Sequence, residues 1–241
     1  MNGTTNSDLE LLCEALVRDY MKRKGYQDMS CIDIEGFVTE YLGMQIIYES
    51  FAEPDPDRIG FLGDGKSRLW IWRDGQKLHV IFPENTIVIE KSLLQPEMSG
   101  KKRFTIAHEG AHKIVSEHLP VARQTPFHTD YCSESEHTVD GYRESQNWDE
   151  IYANRGAACL LIPAFQMAMF LKKYNRGKPV ICYDGYFCAA KEKRLIKRIA
   201  DAAGVSYGAC FIRLKELNLF EFHPIGEYLT QFREEGQNGK L

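Results

Sequence analysis

Arg103-Phe104-Thr105-Ile106-Ala107-His108-Glu109-Gly110-Ala111-His112-Lys113-Ile114 is the stretch on which the reading of this chain turns. Phe104, Ala107, Ala111 and Ile114 recur at helical spacing, which predicts a packed helix over residues 101–119, stopped at Pro120. Residues four apart on a helix project from one face, so the imidazoles of His108 and His112 converge one turn apart. Two imidazoles so placed suit a tetrahedral Zn2+ site. Glu109 lies one step round the helix, where it reaches a water on that metal rather than the metal itself. Zinc lowers the pKa of such a water toward about 7, and a neighbouring carboxylate can take its proton. That is the chemistry of peptide hydrolysis. Gly110 costs about 1 kcal/mol relative to alanine inside a helix, which suits a site of close approach. The competing reading is a surface helix with two solvated histidines.

A catalytic zinc takes three protein ligands and keeps one position open. The downstream candidates are His118, His128, Cys132, Glu134, Glu136, His137, Asp149 and Glu150. Glu150 opens a strongly helical segment, residues 148–162, that ends at Pro163. It shares a face with Asn154, four residues on, so Glu150 can ligate while Asn154 orients a ligating imidazole. Ala157 and Ala158 continue that side and allow close approach to Ala107 and Ala111. The alternative is that Asn147 and Glu150 form a helix-capping pair with no metal role. Tyr152 and His118 are candidates for a hydrogen bond to the substrate oxyanion.

Upstream of the motif, Leu9, Leu12, Leu16 and Tyr20 form the apolar stripe of a helix over residues 8–24. Asp33 caps a second short helix whose apolar side is Ile34, Phe37, Val38 and Tyr41, with Gly43 as its stop. The period then becomes two. Gln45–Tyr48, Ile59–Leu62, Leu69–Trp72, Lys77–Phe82 and Thr86–Glu90 read as strands, with turn dipeptides at Asp64-Gly65 and Asp74-Gly75. The expected fold is therefore α+β: a small antiparallel sheet backed by helices, with the metal between two motif helices. Residues 121–146 are polar, lack a clear period and read as a long loop. Within it His128, Cys132 and His137 match no standard metal spacing.

The 241 residues carry 30 basic and 34 acidic side chains, a formal charge of -4, which gives no global attraction for nucleic acid or anionic membrane. No apolar run approaches the roughly 18–20 residues that span a bilayer. The N-terminus is polar, without the basic and apolar regions of a signal peptide. Seven cysteines, an odd number with no Cys-x-x-Cys pair, suit a reducing compartment. The expectation is a cytoplasmic protein with no membrane partner.

The segment Arg103 to His112 resembles the motif helix of the ImmA/IrrE family of metallopeptidases. Glu150-Ile151-Tyr152-Ala153-Asn154, followed by Ala157-Ala158, Leu160-Leu161 and Ile162-Pro163, resembles that family's second motif helix. The resemblance runs in motif order over roughly residues 30–220 and is specific in the two helices. It implies a zincin-like metallopeptidase domain over residues 30–165, after an N-terminal helix within 1–29 and before a helical region, 166–241. It makes His108, His112 and Glu150 the zinc ligands, Glu109 the catalytic base and Asn154 a support behind a ligand. Family members are cytoplasmic, and several cleave helix-turn-helix repressors of mobile elements or stress genes. The chain departs from the family pattern at Gly110-Ala111 (usually Leu-Gly), at Gly156 (usually bulky and apolar) and at Cys159 (usually acidic).

Within the tail, residues 192–220 read as a helix-turn-helix-like pair around Gly204, with Ser206 capping the second helix. A DNA-binding reading places Tyr207, Arg213 and Lys215 near a groove. The small basic surplus there favours instead a helical pair that packs on the core or holds a protein substrate. The sequence thus predicts a zinc endopeptidase acting on a protein, with a helix-turn-helix repressor as the expected partner. The other hypothesis is a non-catalytic regulatory module that binds DNA or a repressor through its C-terminal helices.

Overall fold

The computed structural model describes residues 6–26, 30–55, 57–119 and 148–237. Helix α1 (Asn6–Lys24) buries Leu9, Cys13, Val17 and Tyr20, so its stripe is centred one step from the expected one, with Leu12 and Leu16 at its margin. Asp33 caps α2 (Ile34–Gly36) by accepting the Gly36 N–H at 3.0 Å. The chain continues as a π-helical turn, Phe37–Tyr41, and leaves it through Gly43 at φ +67°.

Five strands follow: β1 (Gln45–Phe51), β2 (Gly60–Gly63), β3 (Arg68–Arg73), β4 (Gln76–Ile81) and β5 (Thr86–Glu90). Their spatial order is β2-β5-β1-β3-β4. Asp74 (φ 53°) and Gly75 (φ 75°) make the two-residue turn that fixes the antiparallel β3–β4 register, pairing Arg73 with Gln76. The expectation of an antiparallel sheet is corrected at its centre: β5 inserts between β2 and β1 and runs parallel to β1, from Gln45↔Thr86 to Glu49↔Glu90. The sheet is mixed. The reason lies in β5 itself, where Thr86-Ile87-Val88-Ile89 is buried on both faces, as a central strand requires. Ile87 and Ile89 face the helices; Val88 joins Phe61, Leu69, Ile71 and Phe82 on the other side.

Helix α3 (Ser99–His118) crosses the face of β2 and β5, and α4 (Trp148–Leu161) packs along it. Pro163 caps α5 (Ala164–Asn175). Then come β6 (Val180–Tyr183), α6 (Ala190–Ala203), α7 (Tyr207–Glu216), β7 (Phe220–His223) and α8 (Ile225–Gln237), with β6 and β7 paired in parallel. The helical pair expected around Gly204 within residues 192–220 is α6 and α7; it ends at Glu216, and Phe220 already opens β7. One buried cluster runs through all three expected segments, from Leu9 through Ile106 and Ala157 to Leu214.

Candidate metal centre

Helix α3 is held by both of its faces. Arg103 donates to the Ile32 carbonyl (2.7 Å) and the Gly204 carbonyl (3.1 Å), tying α3 to the start of α2 and to the α6–α7 turn. A side chain at Gly110 would meet Val38 Cγ1 at 2.9 Å, so the glycine lets α3 lie on the π-helical turn. The same holds against α4: a Cβ at Gly156 would stand 2.8 Å from the Ala111 Cβ. Ala107, Ala153 and Ala157 are fully buried beside this contact. Small side chains bring the two helix axes close, and that closeness lets short polar groups reach across.

His108 and His112 project from α3 with their Nε2 atoms 3.1 Å apart. Glu150, from the first turn of α4, places one carboxylate oxygen 3.2 Å from His108 Nε2 and the other 3.5 Å from His112 Nε2. One ligand atom from each of the three residues lies within 4.8 Å of the others. For zinc bonds of about 2.0–2.1 Å at tetrahedral angles, neighbouring ligand atoms lie about 3.3 Å apart. The separations between the two imidazoles and from His108 to its Glu150 oxygen are close to such an edge, while the His112 contact is made by the other carboxylate oxygen. Two imidazoles and a carboxylate are also a donor set that takes a divalent metal.

Behind the ligands, His108 Nδ1 lies 3.0 Å from Asn154 Oδ1. An amide oxygen accepts only, so His108 donates from Nδ1; a neutral ring then has its Nε2 lone pair free for a metal, whereas a protonated ring donates from Nε2 to Glu150. The expected contact of Asn154 with His108 and the convergence of His108, His112 and Glu150 are both present. Hydrogen bonds from His108 and His112 hold the Glu150 carboxyl below the usual carboxylate range, against the opposing effect of burial.

Glu109 differs. It is buried, and among the described residues it makes no hydrogen bond or ion pair. Burial pushes its carboxyl up; the charges of His108 and His112 oppose that shift. A Cβ at Gly60, in β2, would fall 2.5 Å from Glu109 Oε1, so the strand leaves room for the carboxylate only because residue 60 is glycine. Glycine inside a strand signals such an approach, and in Arg58-Ile59-Gly60-Phe61-Leu62 this signal was there to be read.

Among the described residues the centre opens on a cleft of ≈ 1110 Å3. One wall is β2 with Arg58 and Ile59; the other is α3 from Phe104 to Leu119, with Glu150 and Asn154 at the end. Among the described residues strand β2 is an edge of its sheet, paired on one side only, with β5. Tyr152 is buried and His118 is exposed at the end of α3; neither lines the cleft. The candidates His128, Cys132, Glu134, Glu136 and His137, the capping residue Asn147 and the loop 121–146 lie outside the described residues.

In the tail, Ser206 caps α7 by accepting the Ala209 N–H at 3.1 Å, and Gly204 turns the chain at φ +67°. Arg213, a residue of the DNA-groove reading, is wholly buried. It donates to the Ile162 carbonyl (2.8 Å), to Glu216 (3.3 Å) and to Glu10. No single described helix is long and apolar enough to cross a membrane. Comparison with known proteins gives no matching family model and no matching curated protein.

Proposed function

We propose that this protein is a zinc-dependent endopeptidase of the ImmA/IrrE kind, with a zincin-like fold, acting in the cytoplasm on a protein substrate, a helix-turn-helix repressor. The observation that carries the proposal is the meeting of His108, His112 and Glu150 within 4.8 Å, beside a buried Glu109, without a hydrogen-bond partner among the described residues, on the wall of a cleft. When bound, zinc supplies a Lewis acid for the scissile carbonyl and an acidified water. His108, His112 and Glu150 hold it, and Asn154 fixes the tautomer of His108. Glu109 accepts a proton from the attacking water at its carboxylate and passes it to the leaving amine. The open edge of β2 offers backbone groups to an extended peptide, which would lie along the cleft as an added strand.

The resemblance supports this reading, and its departures compensate one another. Ala111 adds a Cβ where the family has glycine, and Gly156 removes the bulky group opposite it. Cys159 stands where the family is acidic, and its thiol lies 2.9 Å from Glu10 of α1, which brings the carboxylate from another helix.

Metal analysis of the purified protein tests the proposal. We expect about one zinc per chain, lost on replacing His112 with alanine and much weakened by Glu150→Gln. Full zinc retention by both variants would place the metal elsewhere.

A further inference from the structure

The chain is acidic as a whole, but its charge is unevenly spread. Residues 172–201 hold nine basic side chains: Lys172, Lys173, Arg176, Lys178, Lys191, Lys193, Arg194, Lys197 and Arg198. They hold three acids, Asp184, Glu192 and Asp201. The segment therefore carries a surplus of six positive charges, and the remainder of the chain carries -10, to give -4 overall. All nine basic side chains are exposed, whereas Glu192 is buried. Among the described residues only Lys197 has a carboxylate partner, Asp201 at 2.5 Å.

The end of α5 and the outer face of α6 meet at Tyr174, whose ring centre lies 5.4 Å from Lys173 Nζ and 5.7 Å from Arg198 Cζ. From Lys191 to Arg198 the helix rises about 10 Å. That is close to the screening length of about 8 Å at physiological salt, so these charges repel one another in the free protein and act jointly on a polyanion. Aromatic rings stand among them. Phe187 is 40% exposed with Lys193 Nζ 5.5 Å from its ring centre. Tyr186 and Phe222, 37% and 57% exposed, touch edge to face at 5.0 Å.

We propose that the basic face of α5 and α6, with the exposed rings of Phe187 and Phe222, binds single-stranded nucleic acid. Phosphates have the charge that this surface lacks, and unstacked bases are flat partners for rings that stay 40% and 57% exposed. Duplex reading by α7 is not available, because Arg213 is committed to the core. The inference rests on charge and exposure alone and stands apart from the peptidase reading.

The test is fluorescence anisotropy with a labelled oligo-dT of about 20 nucleotides, on the full chain. We expect binding at 50 mM salt that weakens steeply toward 200 mM. Lys193→Glu/Arg194→Glu/Arg198→Glu should bind at least tenfold more weakly, with the slope of log K against log salt reduced by about 2, at about 0.7 per lost contact on single strands. Lys66→Glu/Arg68→Glu/Lys77→Glu, an equal change of charge on the sheet, should keep that slope. Phe187→Ala should weaken binding about fivefold or more and leave the slope unaltered. If the charge-reversal variant fails to fold, the glutamine versions of the same three positions replace it. No binding by the native protein, or equal loss in the sheet variant, would overturn the proposal. Equal affinity for a duplex would overturn the single-strand assignment. Equal affinity for poly-glutamate would replace it with an acidic protein partner.

Discussion

Glu109 and Arg213 are both buried charged residues, and they are buried in opposite ways. Arg213 arrives from α7 with a full set of partners: the Ile162 carbonyl, Glu216 and Glu10. Burial alone would push the Glu10 carboxyl up, but the hydrogen bond and charge of Arg213, with the Cys159 thiol and Arg155, hold it below its ordinary value. Glu109 arrives from α3 with no hydrogen-bond or ion-pair partner among the described residues, and burial pushes its carboxyl up. A buried charge with all its hydrogen bonds made is a clasp. One left unpaired beside metal-binding groups is a candidate for proton transfer. The two ends of one helix thus separate structure from chemistry: α4 is anchored at Ile162 so that Glu150 and Asn154 are held in place at the other end.

The contrast is sharpest in what removal should do. Arg213→Ala leaves Glu10 buried without its cation and strands the Ile162 carbonyl. Loss of one partner from a buried ion pair typically costs about 3–5 kcal/mol. Denaturant unfolding should show a loss of that size, and a loss under about 1 kcal/mol would mean that the clasp is not structural. A weaker effect, confined to the metal, is expected at the other end of α4. Asn154→Ala should lower zinc affinity about 10–100-fold through the freed His108 ring, with little change in unfolding. If its zinc titration matches that of the native protein, Asn154 does not orient His108. The smallest change concerns the helix contact between the two ends. Gly156→Ala gains up to about 1 kcal/mol in helix propensity but drives a Cβ into Ala111. We expect a net loss of about 1 kcal/mol, recovered when Ala111→Gly is added; additivity of the two substitutions would break the account of that contact.

Much of this was legible in the sequence. The cap at Asp33, the five strands and the turn at Asp74-Gly75 all rest on local signals. So do the two motif helices. The convergence of His108 and His112 follows from helix geometry, and Asn154 was placed by the same spacing from Glu150. The assignment of Glu150 was even between ligand and cap on spacing, and the resemblance tipped it. What the sequence concealed was long-range or counter to type. The parallel entry of β5 beside β1 pairs residues some forty positions apart, which no turn signal reports. Strands β6 and β7 are four residues each, too short for a period to show. Helices α5 and α8 fall in or beside the region 166–241, which was expected to be helical without bounds for either. Arg213 was read as a groove residue because arginine is usually exposed, and it is an internal tie, as is Arg103. The wall of β2 was missed although Gly60 carried the signal.

Glu109→Gln tests the central claim most directly, because it removes the proposed base and no proposed ligand. The measurement is zinc content and cleavage rate, native protein against variant, on the helix-turn-helix repressor encoded nearest to this chain. The account predicts about one zinc per chain in both, the same fold and retained repressor binding, with cleavage slower by about 10²–10⁴-fold and stopped in the native protein by a chelator. Equal behaviour of the two proteins toward every candidate repressor, with zinc bound in both, would contradict it and leave a metal-holding regulatory module in place of a peptidase.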